Sequence, residues 1–221
     1  VLDALQEYTN KVLSGEIVAG VELKRQLKQL KKDRESDKYI FDPNFAEMRI
    51  AFIQTFCKQG KQPFYNKTPD LMLWQKAFLT AVYGFYRKDE NGQKGLLRFQ
   101  KALLLIARKN GKTALAGFDG FTELAIGGGG QFICCGSNDD KQASLIWKEV
   151  KGFAKRFEKT PRRFHSNLTI VKNNKNESEC FKMSARTRDK DGRQISKAFL
   201  DEIHNARDNE LYMSVWQSMS I

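Results

Sequence analysis

Two short stretches of this 221-residue chain hold residues whose types and order could do chemistry together. The first is Arg108-Lys109-Asn110-Gly111-Lys112-Thr113. Where Gly-Lys-Thr opens a helix, the glycine lets the backbone approach a phosphate, and the free amides of the first turn donate to its oxygens. Lys112 then has the reach for the β and γ phosphates of a nucleoside triphosphate, and the Thr113 hydroxyl can ligate magnesium. Arg108, Lys109 and Asn110 complete the loop, the first two adding positive charge where a triphosphate would lie. A full phosphate-loop pattern places a further glycine five residues before Gly111, and position 106 is Ile.

The second stretch is Ile195-Ser196-Lys197-Ala198-Phe199-Leu200-Asp201-Glu202, an apolar strand ending in two acids. Carboxylates at the C-terminal edge of a parallel strand stand where open α/β sheets bind ligands. Adjacent strand residues point to opposite sides, so the two acids can take separate roles. Asp201 would hold magnesium; Glu202 would orient and deprotonate an attacking water. The bland alternatives are a basic turn before a helix and an acidic turn after a strand. His204, two residues on, reads equally as a phosphate sensor and as a surface histidine.

These residues need a strand before the loop, a helix after it, and a parallel strand under the acids. Residues 101–107 are a strand candidate with a run of leucines, followed by a helix over 112–126 that the glycines at 127–130 end. Residues 131–135 read as the next strand and 139–157 as a helix. Residues 168–171 and 180–183 flank a polar turn as a hairpin. Upstream, residues 1–37, 44–58 and 70–86 carry apolar positions at helical spacing, and the polar turn 88–93 closes that region. The expected fold is α/β, a mainly parallel sheet flanked by helices, with a helical region over 1–69 and a core over 70–221.

Composition sets limits. The chain is 41% hydrophobic and 29% charged, as a soluble globular protein is, and shows no apolar run of membrane-spanning length. No secretory leader is visible, which points to the cytoplasm. Cys57, Cys134, Cys135 and Cys180 lack metal-type spacing and read as buried free thiols. A formal net charge of +12 attracts polyanions, of which nucleic acid is the natural candidate.

With these residues in view, the sequence resembles the large terminase subunit of tailed double-stranded DNA bacteriophages. The resemblance lies in the order of several blocks: Ser14-Gly15-Glu16-Ile17-Val18-Ala19-Gly20, Trp74-Gln75 before Tyr83-Gly84-Phe85, the loop from Arg108 to Thr113, Gln142-Ala143, and Asp191-Gly192 ahead of Leu200-Asp201-Glu202-Ile203-His204. That family tolerates a loop without the first glycine. The resemblance implies a P-loop NTPase fold of the ASCE type and an ATPase with ATP and Mg2+ as substrate and cofactor. It implies that Trp74 and Gln75 contact adenine and that Arg108 contacts the γ phosphate.

The resemblance also implies partners: double-stranded DNA, a portal protein, a small terminase subunit and further copies in a ring, with no membrane. The isolated domain is then a candidate monomer, and the setting is the host bacterial cytoplasm, transiently at the procapsid portal. Terminases continue past the acid-bearing strand into a coupling strand and a ribonuclease H-like nuclease. The chain ends at Ile221, so it reads as a fragment from which nuclease activity is not expected. A DExH helicase lobe and a non-catalytic DNA- or portal-binding module are the rival readings. Arg162, Arg163, Arg186 and Arg188 are equal candidates for an arginine reaching a neighbour's ATP.

Overall fold

The computed structural model describes residues 2–137, 140–157, 162–184, 194–203, 206 and 208–219, without the side chains of Asp140 and Gln142. His204, Arg186, Arg188 and Asp191-Gly192 lie outside the described residues. The chain divides into two compact units, Val1–Gln54 with Asp70–Leu105, and Thr55–Pro69 with Ile106–Ile221.

In the first unit the helical N-terminal stretch is two helices, α1 (Ala4–Ser14) and α2 (Val21–Glu35). Asp3 starts α1 by accepting the Gln6 amide at 3.0 Å. Gly15 ends it at φ +89°, a conformation with little penalty for glycine alone. Strand β1 (Tyr39–Phe41), helix α3 (Asn44–Phe56), helix α4 (Leu73–Gly84) and strands β2 (Phe85–Lys88) and β3 (Lys94–Leu97) follow. The three strands form an antiparallel sheet in the order β1-β2-β3. Phe85 and Tyr86, which helical spacing assigns to the end of a helix over 70–86, instead open β2, the first arm of a hairpin with β3. Leu5, Val12, Leu27, Leu30, Ala77 and Phe85 form this unit's core. Beside it Arg98 pairs with Asp33 at 2.6 Å and lies 4.0 Å from the Tyr39 ring centroid.

The second unit contains α5 (Lys112–Ile126), β4 (Phe132–Ser137), α6 (Asp140–Phe157), β5 (Phe164–Ser166), β6 (Ile170–Asn173), β7 (Ser178–Ser184), β8 (Lys197–Asp201) and α7 (Glu210–Ser218). Its sheet runs β5-β6-β7-β4-β8. Strands β7, β4 and β8 are mutually parallel where they pair; β5, β6 and β7 form an antiparallel meander. The α/β fold class stands as expected, and the polar turn 174–177 joins β6 to β7 as a hairpin.

Helices α5 and α6 pack closely, with the Phe118 and Phe153 rings stacked at 4.9 Å between centroids. Leu211 and Val215 of α7 pack with Cys134, Phe181, Met183 and Ile195. Both Cys134 and Cys135 are therefore buried although they point to opposite faces of β4, which is why β4 reads as a continuous apolar run. All four cysteines are buried thiols, none of them in a disulfide.

One expected element is absent. Residues 101–107 form no strand, and Leu103 and Leu105 are 67% and 82% exposed. An apolar run becomes a strand only when a neighbour takes its amides and carbonyls, and among the described residues none pairs with this one.

Candidate functional site

The loop before α5 turns on two residues with positive φ, Lys109 at +67° and Gly111 at +81°. The Asn110 amide nitrogen donates to the carbonyls of Ala107 at 3.1 Å and Arg108 at 3.4 Å, fixing the turn between them. Gly111 is the N-cap of α5, and no side chain caps that end. The first-turn amides therefore keep their donors for an anion, reinforced by the positive end of the helix dipole. Arg108, Lys109, Asn110 and Gly111 are all exposed.

Strand β8 carries the acids to the same place. Asp201 lies opposite Ser137 in the parallel pairing with β4, at the C-terminal edge of both strands. The Ser137 hydroxyl donates to the Asp201 carbonyl at 3.0 Å, and the Glu202 amide donates to Asp201 Oδ1 at 3.0 Å. Asp201 is buried at 4% exposure, while Glu202 sits just past the strand at φ +53°. A non-glycine residue in that region carries about 1–2 kcal/mol of strain, and such strain collects at functional positions.

Helix and strand meet through Lys112. Its ammonium lies 3.1 Å from Asp201 Oδ1 and 2.9 Å from Glu202 Oε1. The hydrogen bond to Glu202 is the largest of the influences that raise its pKa above the ordinary lysine value, with Asp201 adding to it against the opposing effect of burial. The Thr113 hydroxyl donates to Asp201 Oδ2 at 3.4 Å. A hydroxyl and a carboxylate at this separation are hard oxygen donors of the kind that Mg2+ accepts while keeping several waters.

The structure thus brings together Lys112, Thr113, Asp201 and Glu202, with Arg108, Lys109, Asn110 and Gly111 on the adjoining loop. Trp74 and Gln75 stand on α4 in the first unit. Gln75 is buried, and its side-chain carbonyl oxygen accepts the Met72 amide at 2.9 Å, satisfying a donor at the start of α4. Of the candidate arginines, Arg163 donates to the Ala125 carbonyl and Arg162 is exposed.

Sequence reasoning missed Ser137. The only signal for it was a polar residue ending an apolar run, and its bond is to backbone, which no motif records. Among the described residues no three His, Cys, Asp or Glu side chains gather as a metal cluster. No helix among them is long and apolar enough to cross a membrane.

A family profile described as terminase large subunit, ATPase domain, matches residues 73–221. The solved structure of the HK97 bacteriophage large terminase resembles this one with a TM-score of 0.64 and 24% sequence identity, a likeness of fold. The match covers 79% of this chain and 35% of that one, so this chain spans about a third of the HK97 protein's length. No curated protein matches the chain.

Proposed function

The chain belongs to the family of terminase large-subunit ATPase domains, and on that premise we propose that it hydrolyses ATP to drive double-stranded DNA into a procapsid. The observation that carries the chemical part is the convergence of Lys112 and Thr113, from the start of α5, on Asp201 and Glu202, from the end of β8.

In this reading the loop amides and Lys112 hold the β and γ phosphates. Lys112 is already bound to two carboxylates, so a triphosphate competes with Asp201 and Glu202 for one ammonium. Its arrival leaves both acids free for their own roles. Thr113 and Asp201 would hold Mg2+, which would supply positive charge against the negative charge of the phosphates. Glu202, released from Lys112, orients the attacking water and accepts its proton. Glu202 stands just beyond the strand at positive φ and shares the Lys112 ammonium with Asp201, so the one displacement releases both acids. Arg108 contacts the γ phosphate, and Trp74 with Gln75 contributes to adenine binding.

The partners of this reading are double-stranded DNA, a portal protein, a small terminase subunit and further copies in a ring, working in the host cytoplasm. The formal charge of +12 suits a motor that grips phosphates without reading bases. The test is phosphate release by the full subunit carrying Lys112→Ala or Glu202→Gln. Both should lose turnover while keeping DNA binding. Undiminished turnover in either variant refutes the site, and unwinding of a forked duplex by the full subunit would replace packaging with a helicase reading.

A further inference from the structure

Lys197 stands at the start of β8, four residues before Asp201. Its ammonium lies 3.2 Å from Asp119 Oδ2, at the midpoint of α5, and 3.0 Å from Glu123 Oε2, one turn further on. The three side chains are only 19%, 9% and 13% exposed. A strand presents alternate side chains on one face, so Lys197, Phe199 and Asp201 point the same way. Facing them along α5 stand Asp119 and Glu123 opposite Lys197, and Thr113 with Lys112 opposite Asp201. Gly120, between Asp119 and Glu123 in the helix, allows close approach beside this tie, because a Cβ there would lie 3.4 Å from Phe199 Cε2 and 3.2 Å from Val150 Cγ2.

The lengths of the two elements agree with this ladder. Four strand residues advance ~13 Å. The seven to eleven helical residues from Lys112 to Asp119 and Glu123 advance ~10–17 Å. Helix and strand are therefore tied at both ends with opposite polarity. At the phosphate end the strand's acids hold the helix's lysine; at the far end the helix's acids hold the strand's lysine.

We propose that Lys197 is a positioning residue, which keeps β8 in register with α5 so that Asp201 stays opposite Thr113 when a triphosphate takes Lys112 away. The proposal rests on the nucleotide and Mg2+ reading of that site. It follows from the competition at Lys112, since ligand binding breaks the near tie at the moment when Asp201 must face Thr113. The far tie touches no phosphate and is unaffected by it. Without Lys197, Asp119 and Glu123 face each other across one helical turn as like charges, and the start of β8 keeps its backbone pairing to β4 but loses its ion pairs to α5.

The experiment measures binding of a non-hydrolysable ATP analogue to the full chain by calorimetry, in EDTA and over a Mg2+ series, with thermal unfolding alongside. Lys197→Gln should bind the analogue in EDTA as wild type does, and need up to about tenfold more Mg2+ for tight binding, the low end of the cost of removing a direct outer partner of a metal ligand, because Lys197 acts on Asp201 only through the strand. Lys197→Glu combined with Glu123→Lys should restore the Mg2+ dependence by rebuilding the tie in reverse. If Lys197→Gln does not fold, Glu123→Gln, which leaves Asp119 in place, carries the test with a smaller shift in the same direction. A folded variant with the wild-type Mg2+ dependence overturns the proposal, and so does one that loses affinity equally in EDTA. Wild-type analogue binding by Lys112→Ala would instead remove the nucleotide site itself, leaving the role of Lys197 without a ligand.

Discussion

Glu202→Gln should abolish turnover and yet tighten nucleotide binding, and the size of the gain can be worked from the geometry. Lys112 donates to Glu202 at 2.9 Å and lies 3.1 Å from Asp201, so a phosphate that engages Lys112 must first displace carboxylates. A hydrogen bond between charged partners contributes about 1.5–3 kcal/mol when shielded from water. The Lys112 and Glu202 side chains are 32% and 24% exposed, and solvent screening brings the pair nearer to about 1 kcal/mol. A neutral glutamine competes less for the ammonium. Releasing about 1 kcal/mol corresponds to about fivefold in Kd. Removing a negative charge beside the γ phosphate acts in the same direction.

The assay is calorimetric titration of wild type and Glu202→Gln with a non-hydrolysable ATP analogue, which separates affinity from trapping of unreacted ATP. Turnover of ATP by the same variant in the full subunit should fall by about 100-fold or more, the usual contribution of a general base. Unchanged or weaker analogue binding by Glu202→Gln would show that the carboxylate does not compete with phosphate for Lys112. Retained turnover would remove Glu202 from the chemistry.

Three further outcomes follow from packing and charge. A Cβ at Gly117 would lie 2.6 Å from the Glu149 Cβ, so Gly117→Ala must push α5 from α6 and should destabilise by about 1–3 kcal/mol in urea unfolding; a neutral result contradicts that packing. Asp33→Ala strips its carboxylate partner from Arg98, whose side chain is 17% exposed, and should cost about 3 kcal/mol, read as faster amide exchange in α2 and the β1-β2-β3 sheet. Because Lys112 has a raised pKa, its ion pairs add stability that is complete below the unfolded lysine value of 10.5 and is lost as pH rises through the folded value. The stability gap between wild type and Glu202→Gln should therefore persist from pH 7 to pH 10 and close above pH 10.5; a gap that widens there reverses the sign of the argument.

The parts legible in the sequence are those whose chemistry is local. Gly111-Lys112-Thr113 and Asp201-Glu202 announce themselves because each needs particular residue types in consecutive positions, and α5 and α6 because their apolar faces repeat at helical spacing. Two elements that depend on pairing across the chain differ from expectation. The run at 101–107 has a strand's composition, but composition does not supply the neighbour a strand needs. Phe85 and Tyr86 continue the apolar spacing of α4, yet turn into β2 where Gly84 packs against the Phe41 ring, a contact between residues far apart in the chain. Ser137 and Lys197 escaped notice for a related reason: one acts on a backbone carbonyl and the other on acids 74 and 78 residues away.

The irregular loop shows how such a motif can depart from pattern without losing its geometry. Ile106 stands where a glycine is expected, and the reason to want glycine is freedom to adopt positive φ or to let a ligand close to the backbone. Ile106 does not have a positive φ; in this loop the left-handed positions are Lys109 and Gly111. The tightest turning therefore occurs in the three residues before α5, closed by the Asn110 side chain on the Ala107 and Arg108 carbonyls. Lys109 bears about 1–2 kcal/mol of strain for this, a cost that a glycine would avoid. The loop thus retains lysine at a strained position beside Arg108, and the charge of both residues stays at the mouth of the site, where a triphosphate brings most of its own.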